Sequence, residues 1–235
     1  MRRIAFDEAD MTGEGGRGTG DEGNAIAVAT WSLSEPAEVV DSLFALLSED
    51  ERVRAAAFVR EEPRRRFIVA RGRLRERLGE RIGVAPADVA FRYGPNGKPA
   101  AEGVQFNVAH TGDLALCAFA DAPVGVDVER IRPIKNATAL AERWFHADEV
   151  ARIAAAPEPL AEFFRTWTMK EAALKLVGVG VGESLPKVLT PAEGAGWATG
   201  LPGNELGIDR CWVEPLAIDM EHVAALAFSP PPSSV

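Results

Sequence analysis

At 235 residues and 47% hydrophobic, the chain is long enough for one large domain or two small ones. A net charge of −9 and a pI near 5.0 exclude bulk nucleic-acid binding. No apolar run reaches about 18 residues, so no membrane span is expected, and the start Met1-Arg2-Arg3-Ile4 is not a signal-peptide core.

The sequence up to residue 24, Gly-rich and acidic over 7–24, reads as a disordered tail. Ala25 to Leu33 is the first strand. Ser34-Glu35-Pro36 opens a helix whose apolar face carries Val39, Val40, Leu43 and Leu46. Ser48, three residues before Glu51, marks a second helix start. Residues 51–82 hold eleven arginines against five glutamates, a locally basic surface inside an acidic protein. Helical spacing from Phe67 through Leu74 and Leu78 predicts a helix ending near Gly83.

Val89–Tyr93 is a short strand, and Gly94-Pro95-Asn96-Gly97-Lys98-Pro99 a tight turn presenting one lysine. Phe106–His110 and Leu114–Ala120 are strands around a turn at Thr111-Gly112-Asp113. Asp121-Ala122-Pro123 then leads into Val124–Arg130, predicted to form a hairpin with the strand before it. Helices follow at Leu140–Phe145, Asp148–Ile153 and Leu160–Val177, the last stopped by Gly178. Strands within 188–201, 206–216 and 223–228 complete the pattern. The fold class expected is α+β, a pseudo-dimer of two similar α/β subdomains over 25–126 and 127–229, with a tail at 230–235.

In Gly125-Val126-Asp127-Val128-Glu129, the alternation of a strand puts the valines on one face and both acids on the other. Two carboxylates on one face call for a cation between them, and a hard ion shared with a phosphate is one solution. An edge strand with two solvated acids is the other. On the last long helix Trp167, Glu171 and Lys175 recur every four residues, so a third acid and a lysine share a stripe. Two cysteines, Cys117 and Cys211, and three histidines without metal spacing argue against a disulfide framework or a zinc site, and a reducing, cytoplasmic setting fits.

Taken together, Phe106–Thr111, Gly125–Glu129 and Trp167–Lys175, with the turn Gly94–Pro99 upstream, resemble the 4′-phosphopantetheinyl transferases of the long, monomeric, surfactin-synthetase-activating type. The resemblance runs from about Leu47 to the end of the Trp167 helix; the remainder matches only in character. It implies transfer of phosphopantetheine from coenzyme A to a serine of an acyl or peptidyl carrier protein, with release of 3′,5′-ADP. It places Mg²⁺ on Asp127, Glu129 and Glu171, catalytic roles on Glu171 and Lys175, and coenzyme A phosphate contacts on Arg54, Lys98, His110, Lys170 and Lys175. Arg66 and Arg75 fall in the same region. Ala109 stands where relatives carry serine before the motif histidine, so a hydroxyl contact to coenzyme A phosphate is lost there, with Thr111 or a backbone amide as the candidate substitute. A monomer without nucleic-acid or membrane partners is implied. Two rival functions use the same residues: a Mg²⁺-dependent phosphohydrolase of a nucleotide diphosphate, and a binding module without turnover.

Overall fold

Alternating small and branched apolar residues build two four-stranded sheets, seen in a computed structural model that describes residues 3–6, 25–180 and 182–229. In the first sheet β1 (Arg3–Phe6), β2 (Ala25–Ser32), β6 (Leu114–Ala120) and β5 (Gln105–Thr111) lie in that order. In the second the order is β7 (Val124–Arg130), β10 (His222–Phe228), β9 (Cys211–Leu216) and β8 (Gly196–Ala198). Each sheet repeats one plan: the half's opening strand pairs antiparallel with its last, which pairs antiparallel with the one before. Helices α1 (Ala37–Ala45), α2 (Glu49–Ala56) and α3 (Glu61–Ile82) serve the first half, and α4 (Ala137–Trp144), α5 (Ala147–Ala155) and α6 (Pro159–Val177) the second. A small hairpin of β3 (Arg92–Tyr93) and β4 (Pro99–Ala100) carries the 94–98 turn. The α+β pseudo-dimer expected from the order of elements is the architecture found.

The repeat extends to side chains. At the start of α2 the Ser48 N–H donates to Glu51, and at the start of α5 the His146 N–H donates to Glu149. Each glutamate is buried and receives a cation from the half's long helix. Arg75 Nε lies 2.6 Å from Glu51, and Lys170 Nζ lies 2.7 Å from Glu149. Both cations continue to backbone carbonyls, Arg75 to those of Pro86, Ala87 and Val89, Lys170 to those of Leu185 and Val188. Buried charges persist only when partnered in this way.

Among the described residues three apolar clusters form the core. One lies between the first sheet and α1–α3, and includes Trp31, Leu43, Ile68, Leu78 and Phe119. One lies between the second sheet and α6, and includes Phe163, Met169, Leu176 and Val213. The third joins the two sheets, from Ile26, Val28, Leu116 and Ala118 to Val124, Val126, Val128 and Leu226.

Several expectations are corrected. β7 does not form a hairpin with β6; it pairs with β10, ninety-odd residues later, because the turn at 121–123 passes the chain from one sheet to the other. The change of sheet therefore precedes β7, and a boundary between residues 126 and 127 would cut that strand. Within the expected tail, Arg3–Phe6 form β1, parallel to β2 from Ala25 to Val28; residues 7–24 and 230–235 lie outside the described residues. Helix α3 starts at Glu61 rather than Phe67. Pro63 sits in its first turn, where an amide hydrogen has no helical acceptor to lose. Among the described residues no helix is long and apolar enough to cross a membrane.

Candidate active site

The site forms where β7 crosses α6. A side chain at Gly125 would place its Cβ 2.0 Å from the Ala172 carbonyl oxygen, so only glycine admits this approach. The alternation of β7 then turns Val124, Val126 and Val128 into the core between the sheets and Asp127 and Glu129 toward α6. Lys175 Nζ lies 2.6 Å from Asp127 Oδ1 and 3.8 Å from Glu171 Oε2.

Asp127 is 4% exposed, and its Oδ2 is buried with no hydrogen-bond partner. Burial pushes its carboxyl up to about 7, against the attraction of Lys175 and with repulsion from Glu171 and Glu129. Glu171 is raised for the same reasons, burial first, while the Lys175 charge and a hydrogen bond from Trp167 pull the other way. Three mutually repelling carboxyls, one with an orphaned buried oxygen, suit a divalent cation. Among the described residues no three acidic, imidazole or thiolate groups are gathered into a ready coordination shell. The Lys175 ammonium stands among the acids instead.

Glu129 is held from two sides. The Thr111 hydroxyl donates to its Oε2 at 3.3 Å, and Arg132 Nη1 donates to the same oxygen at 3.1 Å. The Thr111 Oγ1 also accepts from the Arg130 N–H. Four residues earlier on β5, Asn107 Oδ1 accepts from the Val126 N–H at 2.8 Å. Side chains, not a strand ladder, therefore latch the edge of the first sheet to the edge of the second. Ala109 lies between them, 3% exposed, in the core joining the sheets. Thr111 does not replace the missing serine hydroxyl, because its own is committed to β7.

Beside the acids a recess of about 440 Å³ is lined by Arg54, Arg66, Arg71 and His110 over Phe58, Phe67 and Leu74. Arg54 lies over the Phe67 ring, and Arg71 over Phe91. One Arg71 guanidinium nitrogen, Nη1, is buried without a partner. Burial lowers the His110 imidazole, and the charges of Lys175 and Arg66 add to the effect. His110 lines the recess at the β5 end of the first sheet.

Two expected phosphate ligands do not join this arrangement. Lys170 is fully buried, and its three protons go to Glu149 and the carbonyls of Leu185 and Val188. Lys98 is turned inward, with the carbonyl oxygens of Lys175, Leu176 and Val124 at 2.6, 3.1 and 3.4 Å. Burial pulls its ammonium down to about 8. Arg75 is likewise spent on Glu51 and three carbonyls. Arg54, His110, Asp127, Glu129, Glu171 and Lys175 do line the recess and the acid site. Sequence reasoning missed Arg71 and Arg132, and considered Thr111 only as a stand-in for the hydroxyl lost at Ala109, not as a support for Glu129. Arg71, one helical turn before Arg75 on an arginine-rich helix, left a signal; nothing in the sequence joined Thr111 to Glu129, eighteen residues later on another sheet.

Known proteins share much of this sequence. Residues 123–227 match the family model of the 4′-phosphopantetheinyl transferase superfamily. The chain is 40% identical over 174 residues to the 4′-phosphopantetheinyl transferase HetI of a Nostoc species, a match covering 69% of this chain and 73% of that protein. It is 32% identical over 198 residues to the 4′-phosphopantetheinyl transferase psf-1 of Bacillus pumilus, covering 82% and 83%. It is 27% identical over 151 residues to the 4′-phosphopantetheinyl transferase Sfp of Bacillus subtilis, covering 62% and 66%.

Proposed function

Because the chain belongs to the 4′-phosphopantetheinyl transferase superfamily, we propose that the β7–α6 crossing moves phosphopantetheine from coenzyme A to a serine of an acyl or peptidyl carrier protein. The observation that carries this reading is the Asp127–Lys175 contact at 2.6 Å with Glu171 one helical turn away. Family membership sets aside the phosphohydrolase reading.

Asp127, Glu129 and Glu171 are the residues that would hold Mg²⁺, and the orphaned Asp127 Oδ2 supports that fit. Bound there, the ion supplies charge neutralisation to a diphosphate. Glu171 takes the proton of the carrier serine as its oxygen bonds to the phosphorus that carries the pantetheine arm. The phosphorus–oxygen bond to the nucleotide breaks, and 3′,5′-ADP leaves with both electrons. Lys175 neutralises the charge that gathers on the departing phosphate. Arg54, Arg71 and His110, around the recess beside the acids, bind the adenosine phosphates. Thr111 and Arg132 keep Glu129 in place.

The carrier is acidic around its serine, and the segment 52–81 and the stretch around Lys135 are its docking faces. Much of the first is already paired with acids of this chain, Arg64 with Glu61, Arg66 with Asp113 and Arg73 with Glu35. The enzyme works as a cytoplasmic monomer, apart from membrane and nucleic acid; free, buried Cys117 and Cys211 support a reducing compartment.

Intact-mass measurement of several apo-carriers with coenzyme A and Mg²⁺ tests the reading. A gain of one phosphopantetheine is expected. Release of 3′,5′-ADP without carrier, or no mass gain on any carrier, would overturn it.

A further inference from the structure

An α-helix leaves its last four carbonyls without helical partners, and they must find others. At the end of α6 the Gly178 N–H returns to the Lys175 carbonyl and the Val179 N–H to that of Leu174. The other donors come from the opposite half of the molecule. Lys98 Nζ reaches the carbonyls of Lys175 at 2.6 Å and Leu176 at 3.1 Å, and Asn96 Nδ2 reaches that of Gly178 at 2.9 Å. The same Lys98 ammonium lies 3.4 Å from the carbonyl of Val124, the first residue of β7.

The turn that presents these donors is closed on itself. The Gly94 N–H donates to the Lys98 carbonyl at 3.0 Å, and the Gly97 N–H to the Gly94 carbonyl at 2.9 Å. Gly97, at φ +76°, supplies the left-handed position such a turn needs. The donors are thus held ready by the turn's own backbone.

We propose that the Asn96-Gly97-Lys98 turn is a positioning device for the reaction: it caps the C-terminal end of α6 and ties it to the start of β7, thereby holding Lys175 against Asp127. Lys98 grips the carbonyl of the very residue whose ammonium works at the site. On β7 it grips Val124, next to Gly125, where strand and helix backbones already touch. Asp127 follows three residues later. A cation at the negative end of a helix also complements the helix dipole. Lys98 acts through Lys175 and is not a phosphate ligand, because its donors point into protein carbonyls. The assignment rests on the transferase reading only for the role of Lys175; the cap itself does not depend on it.

The test uses the full chain with Lys98→Met, which keeps the stem and removes the donors, and Asn96→Ala, which removes one bond at an exposed turn. In Lys98→Met, kcat should fall by about tenfold or more, as small misplacements of catalytic groups do. The KM for coenzyme A should stay within about twofold, and the preference for coenzyme A over dephospho-coenzyme A should not change. Added to Lys175→Ala, Lys98→Met should cause no further fall in kcat. Amide hydrogen exchange over 175–179 should quicken by about tenfold in Lys98→Met and less in Asn96→Ala, with α3 unchanged. A raised KM with lost dephospho-coenzyme A discrimination would make Lys98 a phosphate ligand and overturn the proposal. Unchanged exchange at 175–179 in both variants would overturn it too. If the wild-type chain transferred nothing from coenzyme A, the transferase reading would fall, and the exchange experiment would still decide the cap. Should Lys98→Met not fold, Asn96→Ala decides alone by its exchange at 175–179.

Discussion

Lys170 Nζ lies 2.7 Å from a carboxylate oxygen of Glu149, with both side chains buried and the lysine next in sequence to Glu171. The Glu51–Arg75 pair holds the equivalent place in the first half. This pair is part of the core, so Lys170→Met should cost stability rather than substrate affinity. Losing one partner of a buried pair costs about 3–5 kcal/mol. Urea unfolding should show a loss of that order, while the KM for coenzyme A of the folded fraction stays at the wild-type value. A KM raised tenfold with stability unchanged would return Lys170 to the phosphates.

The same pair sets a pH dependence. Burial alone would raise the Glu149 carboxyl, but the hydrogen bond and charge of Lys170, with the N–H groups of His146 and Thr190, hold it below its ordinary 4.5. A carboxyl lowered in the folded state stabilises fully above 4.5 and loses that contribution as pH falls through the folded value. Stability should therefore drop below pH 4.5, and Glu149→Gln should flatten that part of the curve. Denaturant midpoints measured from pH 6 to 3 check this; an identical acid slope in the variant would sink it.

At the site, Asp127→Ala should reduce transfer by at least about 100-fold while the fold survives. The removed carboxyl is one that burial disfavours, so circular dichroism and the melting temperature should change little. Titration calorimetry should show Mg²⁺ affinity falling in parallel. A fully active Asp127→Ala enzyme would remove the centre of the reading.

In the recess, Arg54→Gln and Arg71→Gln should each raise the KM for coenzyme A by about 10- to 100-fold, the size of a hydrogen bond to a charged group. Neither should alter the KM for dephospho-coenzyme A as much. Steady-state kinetics with both substrates separates phosphate recognition from general damage.

The acid pair was legible because a strand has period two: Asp127 and Glu129 had to share a face. Glu171 and Lys175 were legible because a helix repeats near four. What placed Lys170 was a glutamate 21 residues earlier, and adjacency to Glu171 said nothing of which way the helix turned it. Lys98 sat in a correctly placed turn, yet a turn sequence does not say whether its lysine points at solvent or at another helix's carbonyls. The hairpin of β6 and β7 failed because a three-residue turn between apolar strands reads the same whether the chain folds back or passes to a second sheet. The latch from Asn107 to Val126 was invisible for that reason.

The strand at Arg3–Phe6 bears on colloidal behaviour. It lies parallel along β2, whose sequence AIAVATWS is apolar almost throughout. At the other end of the first sheet, β5 is shielded by β7. β8, at the far edge of the second sheet, is only three residues long. Arg3–Phe6 thus cover the first half of β2, Ala25–Val28, and leave a strand of only four residues at that edge. A chain beginning at Ala25 should retain the site but self-associate, visible as concentration-dependent early elution in size-exclusion chromatography and as light scattering on storage. A truncated chain that stayed monodisperse would show that β2 needs no cover.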